Sequence, residues 1–170
     1  MSAQDDTYER AAAEFSPALS RLARGYEADP EKRRDLLQEI HLALWRSLEG
    51  FDARCSLRTW VYRVAHNAGA TYIARQKRGR SQMLVGLEEL EAVALPAGHA
   101  DEAVVLDRIT ELIQSLKPLD RQVILSYLEG MDAAAIGELT GLSAGNVATK
   151  VHRIKAILAR QIKTGVRHAR

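Results

Sequence analysis

Two aliphatic periods meet at Gly141, and few folds accommodate the way they meet. Residues 131–139 read as a short helix built around Ile136 and Leu139. Residues 142–160 read as a longer one, in which Val147, Val151, Ile154 and Leu158 recur at four, three and four residues and form one buried stripe. Gly141 can take the left-handed conformation that a tight interhelical turn requires, and Gly137 is small enough for two helices to cross closely. Ser143 stands where its hydroxyl caps the second helix by accepting a bond from an orphan amide. The pattern is a helix-turn-helix. Asn146, Thr149, Lys150 and Arg153 fall off the buried stripe, where such a helix meets DNA. From Ser143 onward there are seven Lys or Arg and no acid, a footprint for phosphate.

Charge is unevenly placed elsewhere too. The 170 residues carry a net charge of only +2. Yet residues 53–87 hold seven bases and no acid, and residues 88–111 hold seven acids against Arg108 alone. Two basic blocks separated by an acidic one point to two nucleic-acid-facing modules on an acidic tether. Aromatic residues make up 5% and aliphatic periods dominate, which favours an all-α fold: two small helical domains joined by a flexible acidic linker, the C-terminal one a helix-turn-helix. Cys55 is the lone cysteine, so neither an intramolecular disulfide nor a cysteine-held zinc is expected. No run of about eighteen apolar residues occurs and the N-terminus lacks a signal-peptide pattern. No membrane insertion is expected, and the expected location is cytoplasmic. The acids concentrate in the linker, away from the basic blocks, which argues against an enzyme with a carboxylate-held metal. No catalytic residue, metal or cofactor is expected.

Along the chain, residues 1–6 are polar and read as frayed. Residues 8–26 read as a helix with Phe15, Leu19 and Leu22 on one side, broken or kinked near Ser16 by Pro17. Asp29 and Pro30 suit the cap and first turn of the next helix, residues 31–48. There Leu36, Ile40, Leu44 and Leu48 repeat every four residues and face the core. Gln38, Leu42 and Trp45 land opposite at about 100° per residue, flanked by Asp35, Glu39 and Arg46. A large apolar pair on a polar face fits a helix buried on two sides, or a docking surface for another protein with Trp45 as anchor. Residues 57–76 make a helix whose core face is Leu57, Val61, Val64, Ala68 and Tyr72, leaving Tyr62, Arg63, His66 and Asn67 outside it. Its end is basic through Arg75, Lys77, Arg78 and Arg80. Aromatic and amide side chains among arginines suit single-stranded nucleic acid, although Trp60 and Tyr62 fit ordinary core aromatics equally well. Residues 79–100 are linker, with one helical turn near residues 87–92. Helix resumes at Asp101 and ends at Lys117 and Pro118; another covers residues 119–128 and stops at Gly130.

These segments carry a resemblance. DLLQEIHLALW (residues 35–45) is similar to the polymerase-binding motif of bacterial RNA polymerase sigma factors. SLRTWVYRVAHNAGATYIARQKR (residues 56–78) resembles their promoter-melting segment. LKPLDRQVILSYLEGMDAAAIGELTGLSAGNVATKVHRIKAIL (residues 116–158) resembles their domain that reads the −35 element. Order, spacing and short length resemble the extracytoplasmic-function (ECF) group of the sigma-70 family, which keeps only the second and fourth conserved domains.

The resemblance implies that residues 1–80 are sigma region 2, residues 81–100 a linker and residues 101–170 sigma region 4. It implies that Asp35, Gln38, Glu39, Leu42 and Trp45 dock on the coiled coil of the largest subunit of core RNA polymerase, and that the beta subunit is a partner as well. It implies −10 contacts from Arg54, Trp60, Tyr62, Arg63, Asn67, Arg75, Lys77 and Arg78. The loop at residues 51–57 would capture a flipped base, which must first leave the stack to be read singly. It implies −35 contacts from Asn146, Thr149, Lys150 and Arg153, an Arg being able to pair bidentately with guanine. The expected function is an ECF-type sigma factor that directs core polymerase to −35/−10 promoters and nucleates melting, with promoter DNA and an anti-sigma factor as further partners. Ala148 stands where the family commonly has a basic residue, Ala144 where it has an acidic one, and the first helix looks short. A stand-alone helix-turn-helix regulator would explain residues 101–170 but has no need of DLLQEIHLALW followed by the aromatic–basic block. A sigma mimic that only binds an anti-sigma factor would usually lose the DNA-facing residues, most of which are kept here.

Overall fold

The structure, a computed structural model, describes residues 3–77, 84–92 and 101–166, together with their side chains except at residues 77 and 161–166. The chain falls into two compact units, Met1–Gln82 and Met83–Arg170. The named elements among the described residues are all helical.

The first unit is built from α1 (Ala3–Tyr26), α2 (Pro30–Ser47), a 3-10 turn (Leu48–Gly50) and α3 (Leu57–Lys77), each helix packing on the other two. α2 starts where its sequence signals it. The Asp29 carboxylate accepts from the amides of Glu31 and Lys32 at 2.8 and 3.1 Å, and Pro30 opens the first turn. Leu36, Ile40, Leu44 and Leu48 are buried, as their spacing requires.

Three expectations for this unit are corrected. α1 begins at Ala3, so most of the segment expected to be frayed is helical. α1 also runs unbroken through Pro17. A proline inside a helix costs about 3 kcal/mol, but Phe15, Ala18, Leu19 and Leu22 are buried on both sides of it. Each large apolar side chain so buried contributes roughly 1.5–3 kcal/mol, and a break would misalign the stripe. The third correction concerns α3. Val64 and Ala68 are only half-buried, whereas Tyr62 and His66 are fully buried. α3 packs against two helices, so its buried arc is wider than one stripe. Tyr62 meets Phe15 edge-on at 6.4 Å, and His66 meets Tyr26 at 5.8 Å between ring centroids.

His66 Nδ1 lies 2.9 Å from Tyr26 Oη. Burial pushes the imidazole down to about 3 from an ordinary value of 6.5. Gly69, one turn on, lets the Tyr26 ring lie against the α3 backbone: a Cβ there would come within 2.8 Å of three ring carbons.

The second unit comprises α4 (Leu87–Ala92), α5 (Glu102–Ser115), α6 (Pro118–Leu128), α7 (Ala133–Thr140) and α8 (Ala144–Val166). Residues 84–92 belong to this unit rather than running free. Val85 bridges to Leu116, its amide donating to the Ser115 carbonyl at 2.8 Å, and Leu87 and Leu90 are buried. Asp132 caps α7 by accepting from the Ala135 amide at 2.8 Å. Gly141 then turns the chain at φ 78°, its amide donating to the Gly137 carbonyl at 2.8 Å. A Cβ on Gly137 would sit 2.7 Å from the Leu142 carbonyl oxygen, so only glycine permits this turn unshifted. Ser143 Oγ accepts from the Asn146 amide at 3.1 Å and caps α8. Val147, Val151 and Ile154 are buried as expected, but Ile157 takes the last core position and Leu158 is half-buried. Over this length the 3.6-residue period lets either position reach the core.

Two outcomes follow for the first unit. Gly69→Ala should cost about 1–3 kcal/mol through overpacking against Tyr26, read as a lower urea midpoint. Folded His66 binds a proton far less readily than unfolded His66, so stability is full above pH 6.5 and falls as pH drops from 6.5 toward 3. The loss should approach about 1.4 kcal/mol per pH unit, visible in thermal melts; a melting temperature flat between pH 7 and 5 would contradict it.

Candidate nucleic-acid interface

The outer face of α2 carries the apolar pair. Leu42 is 47% and Trp45 40% exposed, one turn apart, while the opposite stripe is sealed. Asp35 and Gln38 are exposed on the same helix. The Trp45 indole donates to Asp5 Oδ1 at 3.1 Å, and the Gln4 side chain donates to the Trp45 carbonyl at 2.7 Å. The first turn of α1 thereby satisfies the polar edge of the ring and leaves apolar surface outside. Glu39 is half-buried and pairs with Arg75 of α3.

The 3-10 turn leads into a loop before α3. Asp52 accepts from the Arg54 amide at 3.2 Å and also pairs with its guanidinium. Between them Ala53 holds φ 60°, a left-handed conformation that costs a non-glycine residue roughly 1–2 kcal/mol. Ser56 Oγ accepts from the Thr59 amide at 3.0 Å and closes the loop onto α3. Trp60 is half-buried, edge-on to Phe51 at 5.3 Å, with its indole donating to Ser47 Oγ at 3.0 Å. Cys55 is half-buried in the same loop.

Of the sequence-expected −10 residues, Tyr62 is corrected. It is 2% exposed, with the Phe15 ring at its edge and the Arg58 guanidinium 5.7 Å from its centroid, so it is a core aromatic and cannot stack on a base without unpacking the unit. Arg63 is half-buried. Asn67 is exposed at a groove of ≈ 360 Å³ lined also by Glu39, Ala43, Val64, Ala68 and Thr71. Lys77 ends α3; its side chain, and Arg78 altogether, lie outside the described residues.

In the second unit Asn146 and Thr149 are exposed on α8, the Thr149 hydroxyl donating back to the Gly145 carbonyl at 3.0 Å. Lys150 reaches across to Asp120 of α6, Nζ to Oδ1 2.6 Å, with the Asp120 side chain 9% exposed. Arg153 is held by α4. Its Nε donates to Glu91 Oε1 at 2.8 Å, and its Nη2 donates to Glu91 Oε2 at 3.0 Å and to Glu88 Oε1 at 3.2 Å. That guanidinium is the leading cause holding the Glu91 carboxyl below the usual carboxylate range. Asp120, Glu88 and Glu91 take part through these pairs although no sequence motif marks them. Only the acids' helical spacing hinted at the last two.

The Sigma-70 region 2 family model matches residues 12–79, and the Sigma-70 region 4 model matches residues 106–158. The chain belongs to the sigma-70 family, in its ECF group.

This ECF family member is 25% identical over 139 residues to the ECF RNA polymerase sigma factor SigW of Bacillus subtilis, covering 76% of this chain and 74% of that one. It is 28% identical over 153 residues to the RNA polymerase sigma factor CnrH of Cupriavidus metallidurans, covering 84% and 79%. Among solved structures it resembles the sigma factor RpoE of Bartonella quintana, crystallised with the anti-sigma factor NepR, at a TM-score of 0.68 and 17% identity over 92% of this chain and 96% of that one. It resembles CnrH in complex with the cytosolic domain of CnrY at a TM-score of 0.63 and 23% identity, over 92% and 87%. Membership implies RNA polymerase binding and promoter-specific transcription initiation. No helix among the described residues is long and apolar enough to cross a membrane. α4 lies between the two matched segments, so Glu88 and Glu91 belong to neither conserved region.

Lys150 and Arg153 separate by their partners. Lys150→Ala strands the buried Asp120 carboxylate and should lower stability by about 1–3 kcal/mol in denaturant unfolding. Arg153→Ala loses only exposed pairs and should leave the unfolding midpoint unchanged within error. Equal midpoints for the two variants would refute the structural role of Lys150.

Proposed function

We propose that this sigma factor binds core RNA polymerase through Asp35, Gln38, Glu39, Leu42 and Trp45, directs it to −35/−10 promoters, and nucleates melting at the −10 element. The carrying observation is the exposed Leu42–Trp45 pair on a helix whose opposite stripe is fully buried, inside the region 2 match. A surface of this kind is an anchor for a protein partner. The partner face is the coiled coil of the largest polymerase subunit, with the beta subunit as a second contact.

The −10 contacts in this reading are Arg54, Trp60, Arg63, Asn67, Arg75, Lys77 and Arg78, with the loop at residues 51–57 receiving a flipped base. The half-buried Trp60 and the adjacent exposed loop support it: a ring fixed by Phe51 and Ser47 is a ready stacking platform. Asn146, Thr149, Lys150 and Arg153 serve the −35 element from α8. Lys150, tied to Asp120, contributes chiefly by fixing α8. Residues 1–80 and 101–170 act as the two promoter-facing regions, with residues 81–100 between them. The protein acts in the cytoplasm, without catalytic chemistry or a bound cofactor of its own. An anti-sigma factor is a further partner, a reading supported by the similar structure of the sigma factor RpoE in complex with the anti-sigma factor NepR.

Reconstituted transcription tests the reading. Added to sigma-free core polymerase and genomic DNA of the source organism, the chain should generate transcript 5′ ends downstream of one shared −35/−10 pair; a stable complex with core and no new starts would refute promoter direction. Leu42→Ala with Trp45→Ala should weaken core binding at least tenfold, the loss expected of two anchor residues, with the helical circular dichroism unchanged. Unfolding of that variant would instead make the pair part of the core.

A further inference from the structure

Helical spacing gives α4 two faces. Leu87 and Leu90, three residues apart, are 3% and 8% exposed and seat the helix on the second unit. Glu88 and Glu91, offset by one residue, lie along α8 and hold Arg153. Glu91 takes the guanidinium with both oxygens, the forked geometry by which Arg also takes a phosphate. Farther along α8, Arg160 Nη1 donates to the Glu91 carbonyl at 2.9 Å. The bridge from Val85 to Leu116 pins the chain just before α4. Two independent anchors, one apolar and one backbone, therefore hold the acids against α8.

We propose that α4 is an intramolecular cover of the DNA-reading face: in the free chain Glu88 and Glu91 occupy the Arg153 donors that duplex DNA requires, and DNA binds by displacing them. The proposal rests on the reading of Arg153 as a DNA contact. The pairs are suited to exchange, because Glu88 is 79% and Glu91 42% exposed at the side chain. Ion pairs this open to solvent are weak and salt-screened. A phosphate array carries far more charge than two carboxylates and outcompetes them once it is close.

The test measures fluorescence anisotropy of a labelled random-sequence duplex with the full chain and no polymerase, at low salt. Glu88→Gln with Glu91→Gln is compared with Glu89→Gln and Glu111→Gln, exposed acids of the same unit that do not hold Arg153, so both double variants change net charge equally. The first double variant should bind about fivefold tighter than the second, the size of effect expected from releasing exposed pairs. Adding Arg153→Ala should abolish that gain. Equal affinity of the two double variants, with Arg153→Ala still weakening binding, would overturn the cover and leave the DNA contact standing. If Arg153→Ala leaves the affinity of E88Q/E91Q untouched, the DNA-contact reading fails and the cover fails with it.

Discussion

The second unit turns on a buried guanidinium. Arg121 is 2% exposed and donates through Nη2 to the Leu116 carbonyl at 3.0 Å and to the Gln114 carbonyl. These are carbonyls at the end of α5, which has no further turn to satisfy them. A charge so deep is tolerated only when hydrogen-bonded, and here the bonds fix the corner between α5 and α6. One tie to α8 and one to α4 start from that corner. Asp120, the preceding residue, takes Lys150 of α8. Ser115 and Leu116, on the other arm, take Val85 and so place α4. Removing the corner would loosen one tie of α8 and one of α4 together.

Four of the basic residues assigned to DNA are paired with acids in the free chain. Arg54 is paired with Asp52, Arg75 with Glu39, Lys150 with Asp120 and Arg153 with Glu88 and Glu91. Burial separates these pairs into two kinds. Arg54 and Arg75 are 89% and 53% exposed, and their acids are open as well, so phosphate can replace the carboxylates at little cost. Asp120 is enclosed, and drawing Lys150 away would strand a buried carboxylate. Two cations on the same helix are thus held differently, Lys150 by an enclosed carboxylate and Arg153 by two more exposed ones. The first unit shows a matching economy on its apolar side: the α1 terminus satisfies the polar edge of Trp45 and leaves the ring and Leu42 uncovered.

Periodicity made α2, α6 and the turn at Gly141 legible before any coordinates. α2 has its cap at Asp29 and its stripe buried as spaced, α6 stops just before Gly130, and the turn has its left-handed glycine. The Leu36–Ile40–Leu44–Leu48 stripe, the Ser143 cap and the left-handed Gly141 were all readable because they obey local rules. The outward pair Leu42 and Trp45 was readable as the remainder of that stripe. At α3 the apolar stripe could not show that its flank, Tyr62 and His66, would be covered by the rings of Phe15 and Tyr26 from α1. Pro17 misled for a related reason: its cost is local, while the packing that outweighs it comes from the neighbouring helices.

Composition and local pattern were enough to establish an all-helical chain, a helix-turn-helix, an acidic stretch between basic blocks, and the family resemblance that its motifs carry. Which cation meets which acid was decided only by folding. Glu91 and Arg153 are 62 residues apart, and Asp120 and Lys150 are 30 apart. No local propensity encodes such pairs, because their energy arises when buried leucines and a turned corner bring distant segments into contact. The acids of residues 88–91 were visible as charge; that they lie along α8 depends on Val85 reaching Leu116 and on Leu87 and Leu90 being buried, which happens only once the unit has packed.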